Sequence, residues 1–501
     1  LGGSFSFSFI TENTTMNPKA FRIELQNKET EVIEYTLYIN APEGEKPTIT
    51  YNGKVVEEGH AFDSKTMDTE LFSATEISGY TWSVVVNEKT KAVIIVYTQA
   101  TIVENPKAVA NLANRIGGNG TAKKFKFVLD PSLNSRQEVF VIGAEKSKVL
   151  IKGTTISAIT TGLGWYLNNI AHINIAWNSL NEKTVSGDAY ADLSSIPLPT
   201  ETETHTSDAK YRYYLNTCTF GYSMTSWTWK RWQQEIDWMA LHGINLPLAA
   251  VGMDVVWKNV LTEAGYTRED IDKFVAGPGF QAWWLMSNLE GWGGPNPDWW
   301  YERQEQLCKF ILGRMRELGM EPVLPGYGNI LPSNAAEKMG VNALDQGNWC
   351  SGFRRPAFLM PTDKRYAEIA QLYYKNLEKV MGKAKYYSMD PFHEGGRTKG
   401  VNLKEAYYTM YAEMQKHSPE SKWVIQSWGD NPRKEALDTI PKGGFVVLDL
   451  YADGLSRWEK NGFDGHDFLW CMLHNFGGKT GMHGRFEPLL SNYYNALEKY
   501  P

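Results

Sequence analysis

Glu394 is the residue whose setting most suggests chemistry. It closes an apolar, strand-like run, Tyr386-Tyr387-Ser388-Met389-Asp390-Pro391-Phe392-His393-Glu394, within a stretch rich in tryptophan: of the 18 Trp in the chain, 15 lie after residue 208. A carboxyl at a strand end among flat aromatic faces has what a sugar site needs. The indoles cover the C–H side of a pyranose ring, and the carboxyl protonates a glycosidic oxygen. The competing reading is an ordinary loop carboxylate with the tryptophans packed in the core.

The chain must supply elements that place such a residue. Its 501 residues suggest roughly three domains. With 42% hydrophobic and 22% charged residues it has an ordinary globular composition. The net charge of −6 comes with no basic stripe, which argues against a nucleic-acid partner. No apolar run reaches the ~18 residues of a membrane span. The chain begins at Leu1 without a signal-peptide pattern, which reads as a mature or excised piece. Cys218, Cys308, Cys350 and Cys471 have no close CxxC spacing and the nine His are scattered, so no metal site or redox pair is signalled.

Residues 1–102 read as an all-β, sandwich-like accessory module. Phe5, Phe7 and Phe9 alternate with Ser, and Glu31–Asn40 is rich in β-branched and aromatic residues. Asn52-Gly53 signals a hairpin between 48–51 and 55–56, and residues 81–86 and 92–97 read as a second. Residues 103–207 read as a small α/β domain and linker. It has helices over 106–116 and 156–170 and strands over 125–129, 139–142 and 148–152. Ser194–Asp208, with its prolines and Thr/Glu run, is expected to be an exposed connection.

From 208 to 501, short apolar runs alternate with amphipathic helices. Strands are predicted at 212–218, 244–250, 321–325, 386–392, 422–428, 445–451 and 468–475. Helical faces run through Trp232, Ile236 and Met239, through Leu307, Ile311, Met315 and Leu318, through Ile369, Tyr373, Leu377 and Val380, and through Leu403, Tyr407, Met410 and Met414. Repeated β-then-α units imply a parallel sheet with right-handed crossovers. Seven strands are one short of a (β/α)₈ TIM-like barrel; an open doubly wound sheet is the rival. No Gly-rich phosphate loop follows any strand.

Chemistry on a barrel sits at the C-terminal strand ends. Those ends carry Asn216 and Cys218, Gly252 and Asp254, Tyr327, His393 and Glu394, Trp428 and Asp430, Asp449 and Tyr451, and His474, Asn475 and Phe476. A rim of aromatics, amides and carboxyls suits a neutral polyhydroxylated ligand. Asp430, before Asn431-Pro432, reads as a helix cap, and Asp449, inside an apolar strand, as a group that orients a neighbour.

Four segments together resemble the α-N-acetylglucosaminidases of glycoside hydrolase family 89. They are Arg212 to Thr219 (RYYLNTCT), Glu235 to Leu246 (EIDWMALHGINL), Gly277 to Trp283 (GPGFQAW) with Asn288-Leu289 and Trp292, and Leu469 to Gly478 (LWCMLHNFGG). The match runs over about 208–501, and the preceding unit resembles the small α/β domain before the barrel in this family and in β-hexosaminidases. The resemblance implies a retaining exo-hydrolase of terminal α-linked N-acetylglucosamine that needs no cofactor or metal. It places the acid/base on Glu394 and sugar contacts on Asn216, Cys218, Trp283, Trp349, Trp428 and Phe476, with His393, His474 and Asn475 beside them. The family often has Asn where this chain has His393. Its nucleophile, a Glu in a Pro-Glu-Gly motif, follows the helix after His-Asn-Phe-Gly-Gly. No such triplet occurs here after residue 210, and Glu487, beside Pro488, has the position of a helix-start acid. The expectation is a barrel that stops at Pro501, before its last strand, with the nucleophilic Glu beyond Pro501.

The 2-acetamido group of an α-linked substrate lies on the leaving oxygen's face and cannot attack from behind. Two carboxyls ~5–5.5 Å apart are therefore expected. Two rivals stay open: a non-catalytic glycan-binding protein on the same rim, and a hydrolase of another α-glycoside. The expected setting is secreted or periplasmic in a bacterium, or lysosomal in a eukaryote.

Overall fold

A computed structural model of the protein describes residues 33–176, 189–473 and 484–500. The chain forms two compact units, one from residues up to 75 with 82–98 and the other from 76–81 with 99 onward. The first contains a four-stranded sheet in the order 61–63, 34–40, 92–99, 80–87 and a three-stranded sheet in the order 54–56, 49–51, 72–74. Tyr51 pairs with Lys54 across the Asn52-Gly53 turn. The two turn residues have φ of 47° and 72°, as a two-residue hairpin with a type I′ turn requires. Phe5, Phe7 and Phe9 lie outside the described residues. So does Pro501, and the expectation of a barrel cut off at that residue, with its nucleophile further on, therefore concerns a position the structure does not describe.

The second unit opens with a five-stranded sheet in the order Glu203–Thr206, Val139–Glu145, Lys148–Gly153, Phe125–Leu129, Val103–Glu104. Helix Ile156–Asn169, capped by Thr155, carries Ile159, Leu163, Tyr166 and Leu167 into the core. The segment expected to be a bare connection is in part the edge strand of this sheet: Thr206, His205, Thr204 and Glu203 pair with Val139 to Ile142. Composition marked it as exposed, but its alternating threonines fit a half-buried edge, and His205 stacks on Phe140 at 4.9 Å.

The barrel strands are β1 (Tyr213–Tyr214), β2 (Leu246–Pro247), β3 (Val323–Pro325), β4 (Tyr386–Ser388), β5 (Lys422–Gln426), β6 (Phe445–Asp449) and β7 (Asp467–Trp470). β1 pairs with β2, Leu248 bridges to Val323, and β3 to β7 pair in sequence, every contact parallel. Parallel neighbours in chain order are what repeated right-handed crossovers produce. Helices Trp229–Leu241, Asp298–Glu317, Tyr366–Met381 and Leu403–His417 turn the predicted apolar faces inward, with Ile236, Met315, Tyr373 and Met410 buried. Among the described residues, no helix is long and apolar enough to cross a membrane.

Two crossovers are much longer than a single helix. Between β2 and β3 lie helices Met253–Glu263, Arg268–Phe274, Gln281–Leu285 and Asp298–Glu317. Between β3 and β4, Ile330–Leu331, Ala357–Leu359 and Ala343–Leu344 form a small antiparallel sheet, and Asn348–Trp349 pairs with Phe353–Arg354 as a hairpin.

A buried ion pair joins the small α/β layer to the barrel. Arg115 donates two hydrogen bonds of 2.7 Å to Asp237, which also accepts from Tyr190 at 3.1 Å. The Asp237 side chain is fully buried. Removing one partner leaves the other charge buried and unpaired. Asp237→Ala is therefore expected to lower stability by about 3–5 kcal/mol, read from the urea midpoint, whereas Lys273→Ala, in an exposed pair with Glu269, should change it by about 1 kcal/mol or less.

Candidate active site

Because all seven strands run the same way, residues just past their C-terminal ends converge. The segment Met389–Glu394 leaves β4 with no ladder partner for its carbonyls, and side chains take that role. Trp423 Nε1 donates to the Met389 carbonyl at 2.8 Å, and Asn431 Nδ2 to that of Pro391 at 3.1 Å. Arg355 Nη1 donates to His393 O at 2.9 Å and Arg355 Nη2 to Glu394 O at 2.6 Å. Asp390 accepts from the Gln426 backbone at 2.8 Å and its side chain at 2.7 Å, tying β4 to β5; burial holds the Asp390 carboxyl above its usual range. Phe392 and Glu394 have φ of 57° and 45°, a left-handed conformation that costs energy in a non-glycine residue. The bonds around it hold that conformation and project the Glu394 side chain outward.

Among the described residues, the Glu394 carboxylate accepts three hydrogen bonds. Trp428 Nε1 donates to Oε1 at 2.8 Å; Trp349 Nε1 and Asn288 Nδ2 donate to Oε2 at 2.9 and 3.0 Å. The donors come from three places: the loop after β5, the hairpin between β3 and β4, and the crossover between β2 and β3. Arg355 also reaches Ser287 O at 3.3 Å, so one buried guanidinium fixes both the acid and the residue before Asn288. Beside this group, Thr217, Met286, Ser287, Ser388, Met389 and Asp390, with the buried Leu248, Trp257 and Tyr373, line a small cavity of about 40 Å³.

Of the residues singled out from the sequence, Trp349 and Trp428 bond directly to Glu394. Cys218 lies close: burial first, and then the Glu394 charge, push its thiol up to about 11. Asn216 Oδ1 accepts from the Cys218 backbone at 2.8 Å and shapes that turn. Trp283 packs edge-on against Tyr222 at 5.2 Å. It rides on helix Gln281–Leu285, which Asp254 anchors by accepting from Gln281 at 3.0 Å and from Trp300 at 2.7 Å. His393 is 3% exposed; burial lowers its pKa, so the ring is neutral near pH 7. His474, Asn475 and Phe476 lie outside the described residues.

Two rim readings change. Asp430 does not cap a helix: it is exposed and pairs with Arg433 at 2.8 Å, while helix Lys434–Thr439 has Arg433 at its N-cap. Tyr327 is 1% exposed and packs among Trp257 and Tyr373, so it belongs to the core. Asp449 orients backbone, accepting the N–H groups of Arg457 and Trp458 at 2.9 Å each. Glu487 sits exposed in the first turn of helix Phe486–Lys499. Sequence reasoning missed Asn288 and Arg355 as members of the site. Both lie inside long crossovers, where strand-end counting does not reach. The one signal was that Asn288 stands within a segment shared with the family.

Two family models match the chain. The model of the α-N-acetylglucosaminidase (NAGLU) TIM-barrel domain matches residues 212–500, and that of the family's N-terminal domain matches 107–186. The chain belongs to the α-N-acetylglucosaminidase family. It is 33% identical to human α-N-acetylglucosaminidase over 400 residues, covering 76% of this chain and 53% of the human one. A family 89 glycoside hydrolase from Clostridium perfringens, a variant with two Glu-to-Gln changes in complex with its substrate GlcNAc-α-1,4-galactose, superposes with a TM-score of 0.71. The identity is 30%, over 79% of this chain and 45% of that one. The same enzyme with 2-acetamido-1,2-dideoxynojirimycin gives a TM-score of 0.72 at 26% identity over 94% of this chain and 58% of that one. The chain thus spans about half the length of these relatives.

Glu290 adds a pH-dependent clasp two residues beyond Asn288. Its carboxyl accepts from the Ser333 backbone at 2.9 Å and from the Ser333 hydroxyl, and burial pushes it up to about 7. A carboxyl with a raised pKa keeps its proton in the fold where the unfolded chain has lost it, so stability falls as pH rises from about 4.5 towards 7. Glu290→Gln should remove this component. Compared with the native chain, its melting temperature should decline less between pH 5 and 7.5; parallel curves would show that Glu290 does not titrate in that window.

Proposed function

We propose that this protein is the α-N-acetylglucosaminide-cleaving part of a retaining exo-glycosidase, with Glu394 as acid/base. The observation that carries the reading is the Glu394 carboxylate at the barrel's C-terminal rim, held by two indole N–H groups and one amide. These donors fix the carboxyl's plane and leave Oε1 with capacity toward a glycosidic oxygen. The terminal sugar binds at this rim beside Glu394, with Cys218 and Asn216 on the segment after β1 and Trp283 on helix Gln281–Leu285.

In the first step Glu394 gives its proton to the leaving oxygen as the C1–O bond breaks, and a second carboxylate closes on C1 from the opposite face. In the second, Glu394 takes a proton from water, which displaces the enzyme carboxylate and restores the α-anomer. The family pattern puts that second carboxylate, a Glu in a Pro-Glu-Gly motif, after the helix that follows His-Asn-Phe-Gly-Gly. The acetamido group of an α-linked substrate is on the wrong face to replace it. The Clostridium perfringens relative, seen with its substrate when two Glu are changed to Gln, supports the two-carboxylate scheme.

The test uses the full-length protein and GlcNAc-α-1,4-galactose, with the released sugar followed by NMR before mutarotation. The α-anomer should appear first, and Glu394→Gln should reduce the rate by at least about 10²–10⁴-fold. Initial β-anomer would refute retention; binding without turnover in the native protein would favour a glycan-binding role. Arg355→Met should lower kcat by about 10²-fold with little change in KM, because a displaced acid loses transition-state geometry rather than ground-state contacts.

A further inference from the structure

Trp292 lies in a segment shared with the family yet takes no part in the site described so far. It is 51% exposed, but its mounting is rigid. Gly277 N–H donates to the Trp292 carbonyl at 2.8 Å, and Gly291 N–H donates to Phe274 O at 2.9 Å. A Cβ on Gly277 would stand 1.9 Å from the Gly293 carbonyl, and one on Gly293 would stand 2.6 Å from the Phe280 ring. The turn accepts only glycine at these places, so that backbone and ring can pack this closely.

The indole of Trp292 stands edge-on to Phe353 at 5.0 Å and to Phe280 at 6.2 Å. Phe353 lies 5.7 Å from Trp349, its partner across the hairpin, and Trp349 donates to Glu394. The exposed indole is thus two ring contacts from the acid. About half of the Trp292 surface packs against these rings, and packing accounts for that half only; the rest is a flat apolar face left in water.

We propose that Trp292, with Phe353, is the stacking platform for the leaving-group sugar, a neutral pyranose on the outer side of the bond that Glu394 protonates. The proposal rests on the function given above. Its direction follows from the site: the terminal sugar sits against Glu394 and Cys218 at the strand ends, and the leaving group must point outward, where Trp292 is exposed. The two arginines by the hairpin both turn to Asp345, Arg354 at 3.0 Å and Arg397 at 3.4 Å. A flat indole reads the C–H face of a pyranose without needing a charge.

The test compares two probes with the full-length protein: GlcNAc-α-1,4-galactose and N-acetyl-α-glucosaminyl fluoride, whose leaving group has no ring to stack. Trp292→Ala should lower the kcat/KM ratio of disaccharide to fluoride about ten-fold, mainly through KM, and Trp292→Phe should restore most of it. An unchanged ratio, whether both rates fall together or neither falls, overturns the platform while leaving the glycosidase reading intact. If the native protein cleaves neither probe, the glycosidase reading fails and the platform falls with it.

Discussion

Parallel pairing in chain order is the constraint from which the rest follows. Each barrel strand is short, only two to five residues in the ladder, and each points its C-terminal end to the same rim. That direction brings together Cys218, Trp428 and Glu394, which are far apart in the sequence. The ladder also ends there, so backbone groups beyond it need other partners. An unpaired buried carbonyl costs as much as a lost hydrogen bond, and the site is built where side chains meet that need.

The Met389–Glu394 segment shows how this works. Tryptophan, asparagine and arginine side chains bond its carbonyls. The energy they supply offsets the left-handed conformations at Phe392 and Glu394. Arg355 is the centre of this arrangement. Its guanidinium is buried at 3% exposure, and its hydrogen bonds run to backbone oxygens. Bonds from a charged donor to a carbonyl are stronger than neutral ones. One side chain therefore couples the loop that carries the acid to the crossover that carries Asn288.

Among the tryptophans, two uses stand out, packing and positioning. Trp232, Trp257, Trp284 and Trp423 are fully buried and fill the space between barrel and helices. Trp349 and Trp428 are partly exposed and use their N–H groups on Glu394. Trp423 does both, packing in the core while its N–H supports the Met389 carbonyl. An indole has a large apolar face and a single donor, so the same residue type serves packing and positioning.

Local pattern was enough for much of the architecture. The alternation of short apolar runs with 3.6-residue periodicity made the seven strands and their helices legible, because burial of one face is written directly into residue spacing. The Asn52-Gly53 turn was legible because few residue pairs accept positive φ twice in succession. Glu394 and Trp428 could be named from their strand-end positions, and Trp349 from what the family resemblance implies. What the sequence could not show is which distant groups meet. Asn288 is 106 positions from Glu394 and Arg355 is 39; neither has a local signature, because a hydrogen bond between crossovers depends on how the chain returns. The edge strand at Glu203–Thr206 and the backbone partners of Asp449 were hidden for the same reason. Periodicity reports which face of an element is buried, and only the tertiary structure decides what that face is buried against.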